Sequence, residues 1–181
     1  DTVLVQAGTY YESELTVNDR SLVIIAVDGN ENVIIDGQGQ NKILTVANAS
    51  DNTFVIDGFT IQNGDAQTQD GYVTRVAGGM NYFNNLFLQD NGQGTGHTLF
   101  RGNHPDSTFF DNCIIKDNSA ENAAGIGYST VTNCLIYGNN GSNNSAPLNE
   151  CIVKNCTIVD NGGGSPGGAV SLCYEIINSI I

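Results

Sequence analysis

Short apolar runs alternate with clusters of Gly, Asn and Asp along the whole chain of 181 residues. The blocks that begin at Phe83, Phe110, Val131 and Val153 share one pattern: an apolar residue, any residue, Asn or Gly, an apolar or small residue, any residue, an apolar residue, and then a Gly, Asn or Asp turn. The longer block that begins at Phe54 meets this pattern from Ile56 onward. Such runs, bounded by turn residues, are typical of β-strands. Strand-length runs at 2–5, 21–27, 32–36 and 42–47 follow the same scheme more loosely.

The bend residue of each block recurs at a nearly fixed interval. Successive bend residues are separated by 27, 27, 21, 22 and 23 positions. A period of about 20 to 29 residues made of short strands and turns is typical of a solenoid, in which each coil buries its inner face against the next. We therefore predict one all-β solenoid domain over residues 1–181, with about seven coils of three short strands each. The bend residues are Gly58, Asn85, Asn112, Asn133, Asn155 and Asn178.

The bend asparagines have a predicted structural role. Asn tolerates the left-handed backbone conformation that a sharp corner requires, and its amide can hydrogen-bond to an Asn one coil away. We therefore predict a ladder that comprises Asn85, Asn112, Asn133, Asn155 and Asn178.

Three of the five cysteines directly follow a bend asparagine, so they share one register in consecutive coils. The simplest interpretation is a column of buried core thiols, Cys113, Cys134 and Cys156. A disulfide within this column, or between Cys151 and Cys173, is the alternative, because stacked strands lie about 4.8 Å apart. Five is an odd number, so at least one cysteine is free or pairs outside the chain.

The composition excludes several classes of protein. The chain has 24 Asn and 22 Gly, which disfavours a helical protein, and 6 basic against 19 acidic residues give a net charge of −13. Such a charge repels phosphate backbones and anionic lipid surfaces, so we expect no nucleic acid partner. No apolar stretch approaches the roughly 20 residues of a membrane span, and we expect no membrane insertion by this segment.

Several motifs identify a known superfamily. The opening DTVLVQAGTYYE, the runs VIIDGQG from Val33 and IDGFTIQNG from Ile56, and the NCxIxxN blocks resemble the right-handed parallel β-helix, or pectate-lyase-like, superfamily. GGM from Gly78 and GGAV from Gly167 resemble repeats of outer-membrane adhesins. The resemblance implies a right-handed single-stranded parallel β-helix at an extracellular or cell-surface location. It specifies the fold rather than the function, since the superfamily includes lyases, glycosidases and adhesins.

The resemblance also bears on the ends of the solenoid. The chain starts inside the first motif of that family and stops within a further block. We therefore expect either a fragment of a longer protein or a subunit whose coil ends stack on copies of itself or on flanking domains.

The two 27-residue intervals predict inserted loops at about 65–77 and 92–107, where a solenoid usually carries its binding residues. In polysaccharide lyases of the superfamily a Lys or Arg base works beside acidic residues that hold Ca²⁺, so calcium stays open as a cofactor. The sequence has no paired acidic cluster on one strand like a lyase calcium site, and no set of catalytic residues like that of polygalacturonases. An ordinary solvated loop is the alternative. The candidates are Arg75, His97, Arg101 and Asp106 for catalysis, Tyr72, Tyr82 and His104 for ligand binding, and Asp65, Asp70 and Asp90 for a metal.

Two functions compete at this point. The regular repeat and the incomplete catalytic set favour a structural or adhesive β-helix without enzyme activity, which associates end to end or contacts glycans. The alternative is a carbohydrate-active enzyme, a polysaccharide lyase or glycoside hydrolase, that acts on an acidic polysaccharide. An ice-binding solenoid is disfavoured because Thr does not recur at one register.

Overall fold

The computed structural model describes residues 1–65, 72–92, 98–120, 123–141, 146–163 and 168–181. Three long parallel sheets run along the molecule. Sheet 1 comprises Thr2–Val5, Leu22–Ala26, Thr53–Asp57, Met80–Asn84, Thr108–Asp111, Thr130–Thr132, Ile152–Lys154 and Glu175–Ile177. Sheet 2 comprises Gly8–Tyr11, Val33–Asp36, Thr60–Gln62, Phe87–Gln89, Ile114–Lys116, Leu135–Tyr137 and Thr157–Val159. Sheet 3 comprises Leu15–Asn18, Leu44–Ala47, Thr74–Ala77, Thr98–Arg101, Ala123–Gly127, Leu148–Asn149 and Val170–Ser171.

Each coil contributes one strand to each sheet, and each strand pairs in parallel with its equivalent in the next coil. A short fourth pair, Ser119–Ala120 with Asn140–Gly141, adds to two of the coils. The predicted all-β solenoid with three strands per coil is confirmed, and the predicted number of about seven coils is close to the eight, seven and seven strands of the sheets. Among the described residues no helix has the length and hydropathy that a membrane crossing requires.

Alternation along each short strand places one set of side chains inside the coil. In Thr108–Asp111, for example, Thr108 and Phe110 are buried while Phe109 and Asp111 are partly exposed. The inward rings stack from coil to coil: the centroids of Phe83 and Phe110 lie 4.6 Å apart with 10° between their planes. Stacking of equivalent side chains therefore fills the interior and fixes the register of successive coils.

The corner between sheets 1 and 2 is where the bend asparagines lie. Asn85, Asn112, Asn133, Asn155 and Asn178 all have φ between 47° and 55°. Asn112 donates to the Oδ1 of Asn85 at 2.7 Å, and Asn155 donates to that of Asn133 at 3.3 Å. Asn133, in contrast, donates at 2.8 Å to Asp111, because a charged carboxylate is the stronger acceptor. The amides at this corner thus form pairs rather than one continuous ladder.

A second, buried ladder lies at the corner between sheets 2 and 3, and it was not predicted from the sequence. Its amides join consecutive coils through Nδ2 to Oδ1 hydrogen bonds of 3.1, 2.9 and 2.9 Å. Each Nδ2 also donates to a strand carbonyl of the preceding coil. The members, Asn91, Asn118, Asn139 and Asn161, each follow a bend asparagine by six positions, which is the signal that could have identified them.

All five cysteines are free thiols. In the column of Cys113, Cys134 and Cys156, each Sγ lies within 4 Å of a carbonyl in the preceding coil, and all three residues are buried. Cys151 and Cys173 occupy equivalent positions at the corner between sheets 3 and 1, where Ser129 holds the same position one coil before Cys151.

The first and last coils expose apolar side chains. Leu4 is 63% exposed at one end, and Leu172 and Ile180 are 74% and 64% exposed at the other. An apolar cavity of about 330 Å³ opens among the first coils, where Val3, Val5 and other aliphatic residues line it. End-to-end association of coils stays a prediction.

Candidate functional site

Two of the six basic residues lie side by side on the outer face of sheet 3. Arg75 alternates with the buried Thr74 and Val76, so its side chain points outward. Arg101 is the register partner of Arg75 on the neighbouring strand, which places the two backbones about 4.8 Å apart. The candidates from the two predicted loops are thus brought together by the pairing of their strands.

Two tyrosine rings flank the arginine pair. The Cζ of Arg101 lies 5.4 Å from the centroid of the Tyr72 ring and 4.2 Å from that of Tyr128. The Cζ of Arg75 lies 6.0 Å from the Tyr72 centroid. A guanidinium at these distances from a ring face is attracted by the ring quadrupole. The Tyr72 ring therefore contacts both guanidinium groups, and the Tyr128 ring packs more closely against that of Arg101.

A carboxylate completes the group. Tyr128 forms a side-chain hydrogen bond with Glu150, and this bond, together with burial and the charge of Glu150, raises the pKa of the phenol, while Arg101 opposes the shift. The phenol consequently stays neutral and acts as a donor at neutral pH. We call Tyr72, Arg75, Arg101, Tyr128 and Glu150 the arginine cluster.

Three members of this cluster, Tyr72, Arg75 and Arg101, are candidates from the sequence, whereas Tyr128 and Glu150 are not. Both lie at the corner between sheets 3 and 1, outside the predicted loops. Alignment of successive coils brings Tyr128, Glu150 and Leu172 to one position. A Tyr and a Glu at a tight bend, where Asn or Gly is usual, is the signal that could have identified them.

His104 and Asp106 lie on the same corner one coil earlier. Their side chains approach to 3.6 Å between Nδ1 and Oδ2, and those side chains are 61% and 82% exposed. The backbone N–H of Asp106 also donates to the Nδ1 of His104 at 3.2 Å. The two candidates thus form an exposed pair on a turn, and His97 lies outside the described residues.

Tyr82 lies on the outer face of sheet 1. Its ring stacks on that of Phe109 in the neighbouring strand, with centroids 5.1 Å apart and 14° between the planes. Each ring therefore covers one face of the other, which is the arrangement of aromatic stacks within solenoids.

The metal candidates do not converge. Asp65 is buried, whereas Asp90 is exposed beside a polar depression of about 360 Å³ that Asp117 and Ser119 also line. Asp70 lies outside the described residues. Within the described ranges no group of three His, Cys, Asp or Glu residues could hold a metal ion, and calcium binding stays a prediction.

One further carboxylate, that of Asp36 at the end of a strand of sheet 2, is held by neighbouring donors. Burial opposes its ionisation, but hydrogen bonds from Gln62, from the backbone of Gln38 and from Asn63 outweigh that effect and lower its pKa. The amides approach its Oδ2 to 2.9 Å each. Asp36 therefore has a structural role, and the arginine cluster is the stronger candidate site.

Neither a protein-family model nor a curated protein sequence matches the chain. Solved structures do match. Among them are a mutant of pectin methylesterase in complex with hexasaccharide IV, with a TM-score of 0.53 and 18% identity, and pectin methylesterase in complex with hexasaccharide VII, with a TM-score of 0.51 and 17% identity. The chain has the right-handed parallel β-helix fold. The fold that the sequence resemblance implied is thus confirmed. A structural likeness at this sequence identity shows the fold alone. Each match covers 84% of this chain and 56% of the other, so the chain spans about half the length of these neighbours.

Proposed function

We propose that the protein is carbohydrate-active and acts on an acidic polysaccharide, which it binds along the outer face of sheet 3. The register pairing of Arg75 with Arg101 is the observation that carries this proposal. Two guanidinium groups on neighbouring strands concentrate positive charge on one small area of the surface, which attracts an anionic ligand. In a chain with 6 basic and 19 acidic residues, such a pair is conspicuous.

The chemistry of the cluster fits a uronate. A guanidinium binds a carboxylate through two parallel N–H···O bonds. Tyrosine rings beside the arginines offer apolar surface for a sugar ring together with a polar hydroxyl. A polymer with a carboxylate on each sugar would present repeated anions to a surface that itself repeats from strand to strand.

The structural neighbours add support, since both are complexes of pectin methylesterase with a hexasaccharide. They favour this proposal over the structural or adhesive role expected from the sequence. The reaction class is part of the test, because elimination, hydrolysis and ester cleavage each act on such polymers. Glycosidases usually need two carboxylates that flank the bond, and the described residues of the arginine cluster supply only Glu150.

Calorimetric titration with polygalacturonate and with a neutral galactan of similar length tests the binding. We expect the native chain to prefer polygalacturonate, and Arg75→Gln and Arg101→Gln each to weaken that binding about tenfold or more. Arg20→Gln changes the net charge equally at an exposed position near the first coils and should leave the affinity unchanged. Equal binding of the two polymers by the native chain would contradict the proposal.

Three product assays on the same polymers assign the reaction. New unsaturated sugar ends indicate a lyase, new reducing ends without unsaturation indicate a hydrolase, and loss of methyl ester from methylated polygalacturonate indicates an esterase. Turnover in one of them that Arg101→Gln reduces would support an enzyme, and tight binding without turnover would support a glycan-binding surface. The proposal implies an extracellular location.

A further inference from the structure

Two members of the arginine cluster adopt a backbone conformation that their residue types disfavour. Tyr128 and Glu150 have φ of 55° and 52°, and Leu172, the equivalent residue one coil later, has φ of 50°. Left-handed φ is uncommon for residues other than Gly, Asn and Asp, and a bulky side chain there is an outlier. The other corners of this solenoid meet the same requirement mainly with Asn, Asp and Gly. The backbone alone therefore does not explain Tyr or Glu at these two positions.

The side chains at these positions have a use that Asn could not supply. The ring of Tyr128 lies 4.2 Å from the Cζ of Arg101, and its phenol is hydrogen-bonded to Glu150. Leu172 is 74% exposed. Strained backbone that persists in a folded protein is concentrated at functional sites, where the surrounding structure maintains it. The strain at Tyr128 thus coincides with its contact to Arg101, and the strain at Glu150 coincides with its hydrogen bond to Tyr128.

We infer that Tyr128 and Glu150 are positioning residues of the polysaccharide site, which hold the Arg101 guanidinium beside Arg75 before the ligand arrives. The inference rests on the proposed function. An unsupported Arg side chain loses much rotamer freedom when it binds, and a supported one loses less. The hydrogen bond to Glu150 fixes the Tyr128 ring, and the fixed ring orients the guanidinium. Glu150 acts through Tyr128 and needs no contact with the ligand.

The test separates backbone strain from ligand binding. Tyr128→Asn, Glu150→Asn and Leu172→Asn all place a residue suited to left-handed φ at the same corner. We expect Leu172→Asn to raise the unfolding temperature by about 2–4 °C and to leave the affinity for polygalacturonate unchanged. Tyr128→Asn and Glu150→Asn should unfold no earlier than the native chain, yet bind polygalacturonate about three to ten times more weakly.

A double-mutant cycle adds a measurement that a merely structural role would not change. Tyr128→Phe keeps the ring and removes the hydroxyl, and Glu150→Ala removes its partner. We expect each single variant to bind polygalacturonate more weakly than the native chain. The double variant should bind no more weakly than the weaker-binding single variant, because both substitutions remove the same hydrogen bond. Glu150→Gln, which keeps an acceptor for the phenol, should restore most of the affinity.

Tyrosine absorbance supplies an independent signal, since the chain contains no Trp. Polygalacturonate should perturb the near-ultraviolet spectrum of the native chain, and the perturbation should be smaller in Tyr128→Phe. Native affinity in Tyr128→Asn and Glu150→Asn, or additive losses in the cycle, would overturn the inference while the proposed function stands. Absence of binding by the native chain would instead overturn the proposed function.

Discussion

The side-chain amide of Asn118 donates to the Oδ1 of Asn139, one coil further along, at 2.9 Å. The Oδ1 of Asn118 in turn accepts from the backbone N–H and from the side chain of Asn91. Its Nδ2 also donates to the carbonyl of Leu88 at 2.8 Å. All three asparagines are at most 1% exposed. Both ends of each buried amide are thus satisfied by neighbouring coils, and the ladder ties the coils together along their axis.

Truncation of an asparagine in this inner ladder should destabilise the protein far more than truncation of a bend asparagine at the corner between sheets 1 and 2, which we call the outer corner. Asn118→Ala leaves several buried groups without a partner, each at about 1–3 kcal/mol, so we expect a loss of about 4 kcal/mol in the free energy of unfolding. Asn112→Ala removes one exposed hydrogen bond and a favourable left-handed residue, and should cost about 1–2 kcal/mol. Urea titration measures both, and equal losses would contradict the assigned role of the inner ladder.

At the outer corner, the requirement is conformational. Asn133 has φ of 55° and is exposed. We expect Asn133→Gly to change the free energy of unfolding by less than about 1 kcal/mol, and Asn133→Val to cost about 2 kcal/mol because a β-branched residue is strained there. Thr157→Val, within a strand of sheet 2, is the matched control and should be nearly neutral. Similar losses for Gly and Val would show that the amide contact, not the backbone, decides.

The comparison of the two asparagine corners shows what a sequence pattern can predict. Asn85 and Asn91 recur with the same period, and both look like turn residues in the sequence. Period alone predicted the coils and the left-handed bends. Whether an amide points into the core depends on the direction in which the chain turns at each corner, which a one-dimensional pattern does not encode. The sequence therefore predicted the left-handed asparagines at the corner between sheets 1 and 2, where the expected ladder is broken into pairs, and it did not predict the buried ladder at the corner between sheets 2 and 3.

The same limit applies to the arginine cluster. Arg75 and Arg101 are 26 positions apart, close to the local interval of 27, so their proximity could be predicted from the sequence. Tyr128 and Glu150 belong to later coils with a shorter period and lie at a corner. Tyr128 contacts Arg101, and Glu150 contacts Tyr128, through the stacking of successive coils, which only the register of the strands reveals.

The buried thiols should resist modification. Cys113, Cys134, Cys151 and Cys156 are at most 3% exposed, whereas Cys173 is partly exposed. Because alkylation requires an accessible thiolate, we expect a maleimide to modify Cys173 first in the native protein. All five should react in urea without added reductant, and mass spectrometry of the labelled peptides identifies them. Fewer than five labels in urea would indicate a disulfide.

Alkaline pH should destabilise the protein through these thiols. Burial raises the pKa of Cys151 above its ordinary value of 9.0, so the folded chain keeps a proton that the unfolded chain releases. The stability is therefore complete below about pH 9 and falls as the pH rises further, by up to about 1.4 kcal/mol per pH unit for each such thiol. Cys151→Ser, which repeats the buried Ser129 of the same corner, should reduce the slope. An unchanged slope in urea titrations from about pH 8 to about pH 10 would contradict this assignment.

Exchange of Arg101 for Lys separates charge from geometry at the arginine cluster. Lys keeps the positive charge but lacks the planar group that lies 4.2 Å from the Tyr128 centroid and can bind a carboxylate with two parallel bonds. We expect Arg101→Lys to weaken polygalacturonate binding about five- to tenfold, or about 1 kcal/mol, while the dependence on salt concentration stays that of the native chain. Arg101→Gln should weaken both the affinity and the salt dependence. Lys154→Arg on sheet 1, where Lys154 pairs with Glu175 at 3.4 Å, is the control and should change neither. Native affinity in Arg101→Lys would show that the site attracts the polymer by charge alone, without the planar fit that the two tyrosine rings support.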